Sequence, residues 1–252
     1  MSLSSPSSTL PAPEEIHPAL WMASQLARGR AQGVETGFDA LSAELPERGW
    51  PPGMLIELLL PQAGIGELRL LRPALGGLPC AGASRPGARP NPGRIALLQA
   101  PHRINAPGWA RLGIAPSRLL QLHADKASDA WWAAEQVLRA DSCRALLLWQ
   151  TQIRSDALRR LHLAAQSGST LFFMLRPLTC ERDASPAPLR LALRPAADGI
   201  EVRFLKRRGP QRDTPLFIPL SPSPNLLHRH VPVDRRTPAV SAAGSVPTEL
   251  VE

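Results

Sequence analysis

The chain has 252 residues, 44% of them hydrophobic, and a net charge of +8 at pH 7, enough for one α/β domain with tails. No apolar run approaches the roughly 20 residues of a membrane span, and the Ser/Pro-rich start is not ordered like a secretion signal, so a cytoplasmic protein with no membrane contact is expected. Cys80, Cys143 and Cys180 are too scattered for a disulfide framework or a metal cluster, and a charge that is almost all arginine raises the expectation of an acidic or nucleic-acid partner without naming one.

Residues 1–13 and 221–252 are rich in Ser, Pro and Ala without apolar periodicity and read as disordered tails flanking one domain, 14–220. A helix is expected over 16–31, with Ile16, Leu20, Ala23 and Ala27 on one face, followed by a core over 35–220. Within that core, Met54 to Leu60, Ile95 to Gln99, Leu119 to Leu122, Ala145 to Trp149 and Leu171 to Leu175 are short apolar runs, as expected of parallel strands buried on both faces. Ala130 to Arg139 and Asp156 to Gln166 carry helical periodicity, the first capped by Ser128 or Asp129 and the second by Ser155. The stretch Gly82 to Gly93 reads as a surface loop. After Pro188, Leu189, Leu191 and Leu193 alternate with Arg190 and Arg194, a turn follows at Ala197 to Gly199, and Ile200, Val202 and Phe204 alternate with Glu201 and Arg203. This predicts an antiparallel hairpin with one wet face, with Leu216 to Leu220 as a further strand.

The segment closest to chemistry runs from Glu57 through Pro61, Gly64 and Gly66 to Glu67 and Leu68: a buried strand, a glycine turn and a helix start. A P-loop uses that context to cradle phosphate, with a lysine on the outer phosphates and a Ser/Thr hydroxyl on magnesium. Here Glu67 takes the lysine position, Leu68 the hydroxyl position and Pro61 that of the opening glycine. An acid facing triphosphate replaces attraction by repulsion, so no cofactor is expected there. Pro73 is expected to kink or end the helix that follows.

Several segments carry a resemblance. Glu35-Thr-Gly-Phe-Asp-Ala-Leu41, Gly49-Trp-Pro-Pro-Gly53 and Arg94-Ile-Ala-Leu-Leu-Gln99 resemble the lead-in and second strand of RecA, RadA and KaiC domains. The likeness implies a RecA-like, P-loop-type three-layer α/β fold, with a mixed, mainly parallel central sheet, C-terminal antiparallel strands and a degenerate nucleotide site. In that mapping Pro101 stands for the catalytic glutamate, Trp149 for the Walker B aspartate and Arg176 for the γ-phosphate-sensing glutamine, while Trp50 and Trp149 flank the pocket. Together with Glu67 and Leu68, the phosphate, magnesium and water-activating roles have lost their side chains, so no ATPase is expected. More closely, His17-Pro-Ala-Leu-Trp21, Gly64-Ile-Gly-Glu-Leu68, Leu171-Phe-Phe-Met-Leu-Arg-Pro177 and Leu205-Lys-Arg-Arg-Gly-Pro210 resemble the ImuA family, RecA-like accessory proteins of the bacterial mutagenic cassette. That resemblance implies a non-catalytic, SOS-induced partner of ImuB and of an error-prone DNA polymerase III α subunit, with contact to RecA or DNA. The stretch from Asn105 to Pro177 also resembles SulA, which implies the alternative of a cell-division inhibitor binding FtsZ.

For contacts, Lys206, Arg207 and Arg208 end the hairpin and are candidates for a partner or DNA phosphate, with Arg207 pointing opposite to the other two if the strand continues. Trp131 and Trp132 stand about 100° apart on a helix, so one is expected in the core and the other, Trp132 in this reading, as a partner anchor. His102, His123 and His162 are isolated and His228 and His230 make a poor metal site. No catalytic residue, metal or cofactor is proposed.

Overall fold

Why the apolar runs become strands is visible in their burial: every residue of Leu55–Leu60 (β1) and of Ile95–Leu98 (β2) is buried, because helices cover both faces of the sheet there. The computed structural model describes residues 33–45, 47–76, 93–210 and 212–220. The expected helix over 16–31, most of the 82–93 loop and both expected tails lie outside them. The remaining strands are β3 (Leu119–Leu122), β4 (Ala145–Trp149), β5 (Leu171–Pro177), β6 (Leu189–Ala196), β7 (Gly199–Lys206) and β8 (Leu216–Pro219). They form one mixed sheet in the order β3-β2-β4-β5-β1-β6-β7-β8. The first six are parallel, and β7 pairs antiparallel with both β6 and β8.

One face of the sheet carries Ile56, Leu58, Leu147 and Phe173 against the helices α1 (Asp39–Glu44), α2 (Glu67–Gly76) and α3 (Ala106–Arg111). The other carries Leu55, Leu146, Phe172 and Met174 against α4 (Ala127–Ala140) and α5 (Ser155–Ala165). Beyond α5 the β5–β6 connection, with its 3-10 turn Leu178–Arg182, packs against β1 and β5.

Four local features depart from what the sequence suggests. First, α2 runs through Pro73 to Gly76 rather than ending there. The proline ring rests against Gly37, whose φ of +78° turns the chain and where an added Cβ would lie 2.4 Å from Pro73 Cβ and Cγ. The carbonyl end of α2 is satisfied from outside: Arg144 Nε donates to Ala74 O at 3.2 Å and Arg118 to Leu75 O at 3.1 Å.

Second, the caps of α4 and α5 fall one residue or more earlier than expected, at Lys126 and Arg154, whose side chains make no capping bond; Ser128, Asp129 and Ser155 lie within the first turns. The other end of α4 is where a side chain does the work. Asp141, left-handed at φ +45°, accepts the amides of Ser169 and Thr170 at 3.0 Å each and both their hydroxyls, tying the helix end to the start of β5.

Third, β3 is an edge strand and only partly buried. Fourth, β6 has no wet face along its first five residues, because Arg190 is buried against Glu57 rather than solvated. The alternation expected of β7 is present.

Candidate functional site

The connection leaving β1 crosses one face of the sheet, as α2, while that leaving β5 crosses the other, so the chain parts above the carboxyl ends of the parallel strands. Open α/β sheets place their ligand crevices at such a point. A cleft of about 560 Å³ lies there, with walls that include Pro61, Gln99, Pro101, His123, Trp149 and Arg176. The fold therefore brings together, from four strand ends, Pro61, Pro101, Trp149 and Arg176, the residues singled out in sequence through the RecA resemblance. Trp50 is elsewhere: it is fully buried, edge-on to Phe173 with ring centroids 5.3 Å apart, and takes no part in the cleft. Sequence reasoning missed Gln99, which holds φ +56° and clamps Ala124, donating from Nε2 to its carbonyl at 2.6 Å and accepting its amide at Oε1 at 3.2 Å.

Beside the cleft, the glycine turn is closed by its own chain. Gly64 and Gly66 take φ of +90° and +121°, conformations that point their amides into one concavity. Glu67, the first residue of α2, folds its carboxylate into that concavity: Gly64 N donates to Oε1 at 2.7 Å and Gly66 N to Oε2 at 3.1 Å. The side chain is 2% exposed, and the positive end of the α2 dipole holds the same charge. Leu68 turns toward the apolar core, and Leu220 packs over Gly66.

Under the cleft lies a buried ion cluster that reading the sequence segment by segment did not reveal. Glu57, at the middle of β1 and 0% exposed, accepts from Arg190 of β6 at 2.6 Å, from Ser185 at 2.9 Å and from Arg176 of β5 at 3.5 Å. Arg176 also donates to Asp183 at 2.9 Å, and Arg190 to the carbonyls of Cys180 and Glu181. Arg176, at the cleft wall, is thus a guanidinium held by Glu57 and Asp183.

At the opposite edge of the sheet, Lys206 and Arg208 are exposed, whereas Arg207 points inward. Arg207 is 8% exposed, donates to the Glu44 carboxylate and carbonyl, and lies 5.0 Å from the Phe204 ring centroid. Arg212 reaches the same carboxylate. The hydrogen bond from Arg207 holds Glu44 below the usual carboxylate range, against the opposing effect of burial. On α4, Trp131 is half-buried and Trp132 is 61% exposed. Burial pushes the thiols of Cys143 and Cys180 up, which keeps them unreactive. Among the described residues no cluster of three His, Cys, Asp or Glu could hold a metal, and no helix is long and apolar enough to cross a membrane.

No protein-family model matches the chain, and a search of curated proteins finds no match. Among solved structures, it is similar to SulA from Pseudomonas aeruginosa, at 23% identity and a TM-score of 0.37, over 49% of this chain and 97% of that one. A likeness of that size carries neither fold nor function over.

Proposed function

We propose that this chain is a non-catalytic accessory protein built on a RecA-like core, whose nucleotide turn is shut by its own glutamate and which acts by binding partners. The observation that carries this reading is the Glu67 carboxylate on the Gly64 and Gly66 amides. Those amides are the groups that would otherwise receive a phosphate. An incoming polyphosphate would have to displace a carboxylate and then remain beside it, a repulsion of about 4 kcal/mol per charge pair at 4 Å and an effective dielectric near 20. Pro101, Trp149 and Arg176 supply neither a magnesium ligand nor a base for water, which supports a non-catalytic role.

The ImuA-like segments name the setting: a cytoplasmic protein of the SOS response, binding ImuB and an error-prone DNA polymerase III α subunit in translesion synthesis, with RecA or DNA as further contacts. Supporting it, the basic residues Lys206 and Arg208 remain accessible. Titration calorimetry of the full chain with magnesium-ATP tests the closed turn, with no binding heat expected; micromolar affinity would overturn it. Co-purification with ImuB tests the setting, and inhibition of FtsZ polymerisation by the purified chain would replace it with the SulA-like alternative.

A further inference from the structure

Two of the large apolar side chains left in solvent belong to neighbouring helices: Trp132 of α4, 61% exposed, and Leu163 of α5, 58% exposed. Both helices connect parallel strands in the same direction, so they run parallel, and Glu135 joins them by accepting from Arg160 at 2.8 Å. Trp132 lies one turn before Glu135 and Leu163 one turn after Arg160. The two anchors are therefore about 9 Å apart along the axes and about 10 Å across them, or about 13 Å in all. Residues eight apart on one helical stripe span about 12 Å.

The ground between the anchors is cationic. Arg139 and Arg160 converge on the single Glu135 carboxylate, each at 2.8 Å and each more than half exposed, leaving one positive charge over. Arg159 is exposed and pairs with no acid among the described residues. Apart from Glu135, the acids named on this face stand at the helix starts: Asp156 pairs with Arg154 at 3.2 Å, and Asp129 receives the Ser128 hydroxyl. An aromatic side chain standing clear of the surface beside arginines is the composition of an interface hot spot.

We infer that the outer face of the α4–α5 pair receives an acidic amphipathic helix of a partner protein, with its apolar stripe on Trp132 and Leu163 and its carboxylates on Arg159, Arg160 and Arg139. This rests on the reading of the chain as a binding protein and names the chemistry of what it binds. The test places a photo-crosslinking phenylalanine analogue at position 132 or 163 of the full chain, irradiates damaged cells, and sequences the captured segment. Both positions are expected to capture one segment, net acidic, with apolar residues about eight apart. A synthetic copy of that segment is expected to bind the purified chain, with Trp132→Ala and Arg159→Glu each weakening it about tenfold and leaving the melting temperature in place. No adduct, an adduct with nucleic acid, with a second copy of this chain or with a neutral or basic segment, or affinity unchanged in both variants, overturns the inference. Co-purification with ImuB that survives Trp132→Ala sinks this surface but spares the proposed function. An acidic helix captured from a protein other than ImuB or the polymerase does the reverse.

Discussion

Glu67 bends back over its own helix start to take the Gly64 amide at 2.7 Å, so the turn holds an anion that is part of the chain. Removing that carboxylate is expected to do two things at once. Glu67→Ala should lower stability by about 1–3 kcal/mol, the range for hydrogen bonds to a charged group, and should create weak binding of inorganic phosphate where the parent binds none. Urea denaturation and phosphate-31 NMR read the two effects; loss of stability without any phosphate response would show that Leu220 and the turn itself, rather than the acid, exclude the anion.

Glu57 pairs with two buried guanidiniums, from strands on either side of it, and Asp183 gives Arg176 a second acid. Glu57→Leu is expected to cost about 3–5 kcal/mol, because Arg190 would remain buried without an acid and Arg176 would keep only Asp183. Replacing all three, as Glu57→Leu with Arg176→Met and Arg190→Met, should recover most of that loss, since apolar replacement of a whole buried cluster is often neutral or stabilising. Chemical denaturation of the single and triple variants checks the contrast.

Gly37 and Pro73 form a steric pair. Gly37→Ala puts a methyl group within 2.4 Å of the Pro73 ring at a positive φ and should destabilise by about 1–3 kcal/mol. In the Pro73→Gly background, which removes both Cβ and Cγ, the clash part should vanish and only the φ penalty remain. A double-mutant cycle measured by thermal unfolding should give a clear coupling energy, and strict additivity would refute the contact.

Two carboxylates tie stability to pH. Glu44, held low by Arg207, and Glu135, held low first by Arg160 and then by the charge of Arg139, both have native values below their unfolded ones. A depressed carboxylate contributes fully above its unfolded value, about 4.3, and the contribution disappears as pH falls through the lower native value. The melting temperature is expected to drop as pH is taken from 5 to about 3, and less steeply in Glu135→Gln. Arg207→Ala should remove part of the same slope and destabilise at neutral pH, whereas Arg208→Ala, at an exposed site, should stay within about 0.5 kcal/mol of the parent.

The strands were legible because a parallel sheet covered on both sides demands unbroken apolar runs, and Leu55–Leu60, Ala145–Trp149 and Leu171–Pro177 supply them. What misled was polarity whose partner is remote in sequence. Arg190 alternates with leucines as a solvated residue would, yet its partner Glu57 lies 133 positions earlier. Pro73 reads as a helix stop until Gly37 makes room for its ring. The RecA resemblance set Trp50 beside the pocket, but it precedes β1, and the amino end of a strand is at the far side of the sheet from the cleft. That an acid follows the glycine turn was legible; that it would itself take up the amides depends on a side-chain direction that no spacing reports.

β1 sits between β5 and β6, so the earliest strand of this sheet is hydrogen-bonded only to segments made more than a hundred residues later. During synthesis the run Leu-Ile-Glu-Leu-Leu-Leu must wait, exposed, for partners that emerge near the end of the domain, the circumstance in which apolar strands aggregate. A lone acid in the middle of such a run acts as a gatekeeper while it waits. Glu57 thus serves the chain before folding as well as after it, and ribosome-bound chains stalled before β5 should aggregate more readily when that acid is replaced by leucine.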